Sequence, residues 1–152
     1  MNNYKNVEIL KIGLSNANFT DEIKIASSYP LKRTRKRQSY SSYGGDLIKE
    51  RVEFRTLDSF NLKPAVIKID TDGFEFRILK GAEQTLKDNK PAIILELIDK
   101  TLAKKGDSKN QLVDYLHSIG YDFFTLEFEP IADPNNYHSA NVIALHRSSS
   151  KT

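Results

Sequence analysis

Cysteine is absent from the 152 residues, which removes disulfides and thiolate metal sites from consideration. Nothing then asks for an oxidising compartment, and the cytoplasm is the default expectation. Long apolar runs are lacking as well: none approaches the roughly 20 residues that span a bilayer. The opening Met1-Asn2-Asn3-Tyr4-Lys5-Asn6 is too polar for a signal peptide. The expectation is a soluble chain with no membrane span. No internal repeat is present, and the length is that of one ordinary domain able to bury a core without staples. The expected organisation is a single α/β domain over residues 1–147 and a disordered tail over 148–152.

What charge there is lies unevenly. The formal net charge is +3, but Lys32, Arg33, Arg35, Lys36 and Arg37 sit almost side by side, and the remainder is close to neutral. Attraction of the whole protein to nucleic acid is not indicated. These residues fall in a stretch, 27–45, with no apolar periodicity and with Tyr40, Tyr43, Gly44 and Gly45 among its serines. It reads either as a solvated mobile insertion or as a cationic, tyrosine-bearing loop that grips RNA or a phosphorylated partner.

Order is strongest between Val66 and Leu97. Val66-Ile67-Lys68-Ile69-Asp70 and Pro91-Ala92-Ile93-Ile94-Leu95-Glu96 are short β-branched-rich runs ending in acid. Ile78, Leu79, Ala82 and Leu86 recur between them at helical spacing, so one helix is expected over about 74–87. The whole is a βαβ unit whose parallel strands are expected to be covered on both faces. Ligands of open α/β sheets gather at the carboxyl ends of strands, where Asp70, Asp72 and Glu96 fall. Gly81, a costly residue inside a helix, marks a close approach of packed chain or of a ligand.

Around this unit, Val7 to Leu14 and Asp21 to Ala26 read as strands. Val52 to Phe60 reads as a strand entering a turn, with Thr56 or Asp58 as a cap. Ser108 and Gln111 have capping-box spacing ahead of a stripe of Leu112, Val113, Leu116 and Ile119, and Gly120 is placed as a left-handed C-cap. Tyr121 to Phe128 and Asn141 to His146 follow without an intervening helix, as an antiparallel pair expected at one edge of a mostly parallel sheet.

Thr56-Leu57-Asp58, Ile67-Lys68-Ile69-Asp70-Thr71-Asp72-Gly73-Phe74-Glu75, Ile78-Leu79-Lys80-Gly81-Ala82 and Pro91 through Glu96, in this order and spacing, resemble the signature of the FkbM family of S-adenosylmethionine-dependent methyltransferases. The family usually reads K-I-D-x-E-G-x-E, so Asp72 shortens one carboxylate. Ile12-Gly13-Leu14-Ser15-Asn16, Gly120-Tyr121 and Asn141-Val142-Ile143-Ala144 are similar to further family elements. The resemblance implies a Rossmann-like class I methyltransferase fold in partial form, corresponding to the carboxyl-terminal two-thirds. The family's strand and glycine-rich cofactor turn have no counterpart among the seven glycines.

That resemblance implies methyl transfer to a hydroxyl of a sugar or other small molecule, with this chain alone incomplete or inactive. Asp70 and Asp72 would orient or deprotonate the acceptor. His138, in the loop after a parallel strand, stands as general base against a plain surface histidine, and His117 and His146 are structural. Glu75, Glu96 and Asn141 would bind substrate, although Asp72 and Glu75 also suit the start of a helix and Glu96 also suits pairing with a lysine. Ser15 and Asn16 would touch the cofactor at the same rim. Two readings of other classes stand beside it: Mg²⁺-dependent phosphoryl transfer or nuclease chemistry on the same Asp70, Asp72 and Glu96, and a non-catalytic module binding through the basic loop or a sheet edge.

Overall fold

A computed structural model describes residues 5–26 and 47–150, with side chains placed for 5–23 and 49–148. The basic stretch from Lys32 to Arg37 lies outside the described residues. Two compact units separate, one within Met1–Gly13 and Asn18–Phe54, the other within Leu14–Ala17 and Arg55–Thr152.

In the first unit β2 (Phe19–Ala26) pairs antiparallel with β3 (Leu47–Arg55). Phe19 lies opposite Phe54, and their rings stack with centroids 4.8 Å apart, an aromatic cross-strand pair that pins the register. The two-residue β1 (Gly13–Leu14) completes the sheet in the order β1-β3-β2. The expected strand over Val7 to Leu14 shrinks to those two residues, because the alternation upstream finds no neighbouring strand among the described residues; Val7, Ile9 and Leu10 stand exposed.

The second unit carries the core. Its elements are β4 (Val66–Ile69), α1 (Glu75–Lys80), α2 (Glu83–Asn89), β5 (Ala92–Glu96), α3 (Asp99–Ala103), α4 (Lys109–Ser118), β6 (Tyr121–Phe124) and β7 (Asn141–His146). The sheet order is β4-β5-β7-β6; β4 and β5 are parallel, and β7 is antiparallel to both of its neighbours. Three of the four strands run one way, but only β4 and β5 pair in parallel, so the sheet is mixed and not mostly parallel; the antiparallel pair β7-β6 lies at one edge, as expected, with β7 and not β6 against β5. β7 is inserted between β5 and β6 because Val142, Ile143 and Ala144 are all buried and need neighbours on both sides. β6 alternates buried and half-buried and tolerates the edge.

The expectation of strands buried on both faces is also corrected. β4 is an edge strand with Val66 56% exposed, and β5 alternates half-buried with buried residues. The covered face carries Ile69, Ile93, Leu95, Phe123 and Val142, packed with the predicted stripes Ile78, Leu79, Ala82, Leu86 and Leu112, Val113, Leu116. The capping box of Ser108 and Gln111 is present, and Gly120 has φ +93°.

The single helix expected over 74–87 is instead α1 and α2, broken at Gly81-Ala82. Thr56 caps a 3₁₀ turn over Leu57–Phe60. Asp58 reaches across the chain to cap α2, accepting from the N–H groups of Gln84 (3.0 Å) and Thr85 (2.8 Å) and from the Thr85 hydroxyl (2.7 Å). At the end, Arg147–Ser150 form a 3₁₀ turn where a frayed tail was expected.

Candidate active site

The residues singled out on chemical grounds meet mostly at one rim of the second unit. The chain leaves β4 at Asp70 and turns through Asp72 (φ 53°) and Gly73 (φ +109°) into α1. Two successive left-handed residues are strained for anything but glycine and its closest mimics, and Glu75 holds them in place. It is fully buried, and its Oε1 accepts from the Thr71 N–H (3.0 Å), the Thr71 hydroxyl (3.0 Å) and the Gly73 N–H (3.2 Å). The other oxygen, Oε2, is buried without a hydrogen-bond partner. Glu75 thus sits beneath the turn that presents Asp70 and Asp72, which are exposed. Asp70 accepts from the Lys68 ammonium at 2.7 Å.

On the adjacent strand, Glu96 ends β5 directly opposite Asn141 at the start of β7. Burial pushes the Glu96 carboxyl above its ordinary value, and Asp70, Glu75 and Asp72 push it further in the same direction, against a smaller opposite effect of Lys68. These acids therefore share one field. A raised folded-state pKa means that the associated stability is complete below the unfolded value of 4.5 and is lost as pH rises through the folded value. Glu96→Gln is accordingly expected to gain on the parent protein, in urea midpoint, as pH is raised from below 4.5 to neutrality. Parallel midpoints at all pH values would show that Glu96 does not feel its neighbours.

Because β6 runs with β4 and β5, the chain also leaves it at this rim, and the loop that returns to β7 carries His138 there. A cavity of about 590 Å³ opens between the end of β5, the first turn of α4 and this loop; Leu97, Ile98, Lys109, Tyr137 and His138 are among its walls. The four acids do not line it; the join is made by Leu97, next to Glu96, whose N–H donates to Ala140 O at 2.6 Å. His117 and His146 have structural contacts, His117 with Tyr121 O and His146 with Ser148.

Ser15 and Asn16 are not brought to this rim. β1 belongs to the other sheet, and the two residues pack against Gly81 at the far end of α1, about 9 Å along a six-residue helix. Ser15 is buried, its N–H donating to Arg55 O (2.9 Å) and its hydroxyl to Asn16 Oδ1 (3.2 Å).

Lys109 escaped the reading of the sequence. It is 7% exposed at the first position of α4, its ammonium donating to Tyr137 O at 2.6 Å. Burial pushes its pKa down, while Asp99 and Asp133 push it up. A signal was available: a cation in the first turn of a helix opposes the macrodipole, and such local conflicts mark sites.

The Mg²⁺ reading is not favoured by this geometry. Asp70 is engaged with Lys68, and among the described residues no group of three or more His, Asp or Glu side chains is disposed to hold a metal ion. Nor is any described helix long and apolar enough to cross a membrane.

A sequence model of the methyltransferase FkbM domain matches residues 2–123, most of the chain. The chain belongs to that family. Among solved structures it is similar to the methyltransferase FkbM from Methylobacillus flagellatus KT, at 15% identity and a TM-score of 0.45. That likeness covers 89% of this chain, which spans only 27% of the length of the other. No curated protein matches the chain.

Membership implies S-adenosylmethionine as methyl donor, and the described glycines give a test of fit. A glycine that cradles a ligand keeps the space of its missing side chain open toward it. Here a Cβ on Gly13 would strike the Phe54 ring, on Gly73 Thr101 O, on Gly81 Ser15 O, and on Gly120 the His146 ring. Gly106 is open but lies between α3 and α4, not between a strand and a helix. The described residues thus do not build the cradle.

Proposed function

We propose that this chain supplies the acceptor side of an S-adenosylmethionine-dependent methyltransferase, transferring a methyl group to a hydroxyl of a sugar or other small molecule in the cytoplasm. The reading carries with it a Rossmann-like class I sheet of which β4, β5, β7 and β6 are the described part. Its main support is the gathering of Asp70, Asp72, Glu96 and Asn141 at one rim beside a cavity walled by His138, together with membership of the family. Methyl transfer to a hydroxyl needs the oxygen held in line with the donor and a group to take its proton. In this proposal Asp70 and Asp72 orient the hydroxyl, His138 takes the proton, and Glu75 holds the turn in register.

The donor has no cradle among the described residues, so calorimetry of this chain with S-adenosylmethionine is expected to detect weak binding or none. Tight binding would overturn the acceptor-side assignment. With labelled donor at high concentration and a panel of hydroxylated small molecules, transfer is expected to be slow in the parent protein. It should fall about 100-fold in His138→Ala, the scale of a lost general base. No label above blank in any acceptor would sink the methyltransferase reading for this chain.

A further inference from the structure

The cavity at the end of β5 has chemistry that the acid rim does not use. Its lining residues include apolar Leu97 and Ile98, Tyr137, the amide-bearing Asn110 and Asn135, Asp99 and Lys109. Buried ammonium groups carry three donors and need acceptors for them. Lys109 is more than nine-tenths buried, yet among the described residues its Nζ has one acceptor, Tyr137 O. The remaining N–H groups, beside a space of about 590 Å³, want oxygen.

The charges nearby decide which kind of oxygen. Asp99 and Asp133 both act on Lys109, and both are already occupied as helix caps. Asp99 accepts from the Lys109 N–H (2.9 Å), and Asp133 accepts from the N–H groups of Asn135 and Asn136. Two carboxylates already act on this one ammonium before any ligand enters, so a further anion would add like charge to theirs. A hydroxyl or ether oxygen meets no such repulsion and satisfies the waiting donors. Clefts of this size, with apolar walls and a few fixed polar groups, are the usual form of small-molecule sites.

We infer that this cavity binds an uncharged, oxygen-rich small molecule, with the Lys109 ammonium as the donor that positions it and the Tyr137 ring and Asn110 and Asn135 amides as further contacts. The inference rests on the acceptor-side reading only for what the ligand is used for, since binding is measured without a methyl donor.

The experiment is a titration of the isotope-labelled protein followed by backbone amide resonances, with methyl α-glucopyranoside as neutral probe and glucuronate and inorganic phosphate as charged ones. The neutral probe is expected to shift residues 97–99, 108–110 and 137–140. Lys109→Met is expected to weaken binding at least tenfold while its melting temperature holds or rises, because a buried ammonium has been removed. Ser139→Trp, at an exposed position on the cavity wall, is expected to abolish binding by filling it. Absence of shifts at these residues, equal binding by Lys109→Met, or tighter binding of either anion there would each overturn the inference. Shifts that persist while methyl transfer fails would overturn only the methyltransferase reading.

Discussion

Glu75→Ala is expected to lower the free energy of unfolding by about 3 kcal/mol in urea titrations, the scale of breaking a buried, hydrogen-bonded charge. The loss comes from the turn more than from α1, which is only six residues long. Three donors, the Thr71 N–H, the Thr71 hydroxyl and the Gly73 N–H, lose their common acceptor. Asp72 and Gly73 then hold left-handed conformations without the contact that fixed them. Glu75→Gln separates charge from geometry. Its amide oxygen can keep the Oε1 bonds, but its nitrogen takes the place of Oε2, which is buried without a partner. A buried unpaired donor costs about 1 to 2 kcal/mol, so the glutamine variant should fall between parent and alanine. A change within about 0.5 kcal/mol for Glu75→Ala, the range of ordinary surface substitutions, would show that the turn is held by something else.

What could be read from the sequence was what depends on near neighbours. The stripes Ile78, Leu79, Ala82, Leu86 and Leu112, Val113, Leu116 are buried as their spacing required. Ser108 and Gln111 close a capping box across a single turn, and Gly120 takes the positive φ that its place after α4 implied. The rim of Asp70, Asp72 and Glu96 followed from strand direction alone. What could not be read depends on contacts distant along the chain. Asp58 caps a helix 26 residues away, and no local pattern distinguishes it from a cap of its own turn. The insertion of β7 between β5 and β6 reflects competition for the most buried position, which Val142 to Ala144 win over Tyr121 to Phe124. Ser15 and Asn16 were assigned to the rim because they follow a strand, but that strand belongs to the other sheet. Lys109 carried a local signal, a cation in the first turn of a helix, but its burial depends on residues distant along the chain, such as Tyr137.

Gly81→Ala reverses the sign that helix propensity predicts. By propensity alone, alanine inside the expected 74–87 helix should gain about 1 kcal/mol over glycine. Gly81 has an ordinary φ of −80°, so nothing in its own backbone forbids a side chain. The obstacle is another segment: a Cβ would lie 2.0 Å from Ser15 O, 3.0 Å from Ser15 C and 3.2 Å from the Asn16 Cα. These are backbone atoms, and Ser15 is itself held by its N–H bond to Arg55 O, so they cannot rotate aside as a side chain would. On the other side, the Asp58 N–H donates to Gly81 O at 3.0 Å while the Asp58 carboxylate caps α2. Moving α1 to relieve the clash therefore pulls on that cap too. Overpacking of this kind costs about 3 kcal/mol, so Gly81→Ala should be destabilised by that amount in chemical denaturation. Gly106→Ala is the matched control: φ is +83° with nothing within 4 Å of the added atom, so conformational strain alone should cost it about 1 kcal/mol. A Gly81→Ala protein as stable as its parent would mean that the Ser15 segment does not lie against α1. If Gly81→Ala loses clearly more than Gly106→Ala, the break between α1 and α2 is imposed by packing, and the glycine in the Ile78-Leu79-Lys80-Gly81-Ala82 signature marks a crossing of two backbones and not a contact with ligand.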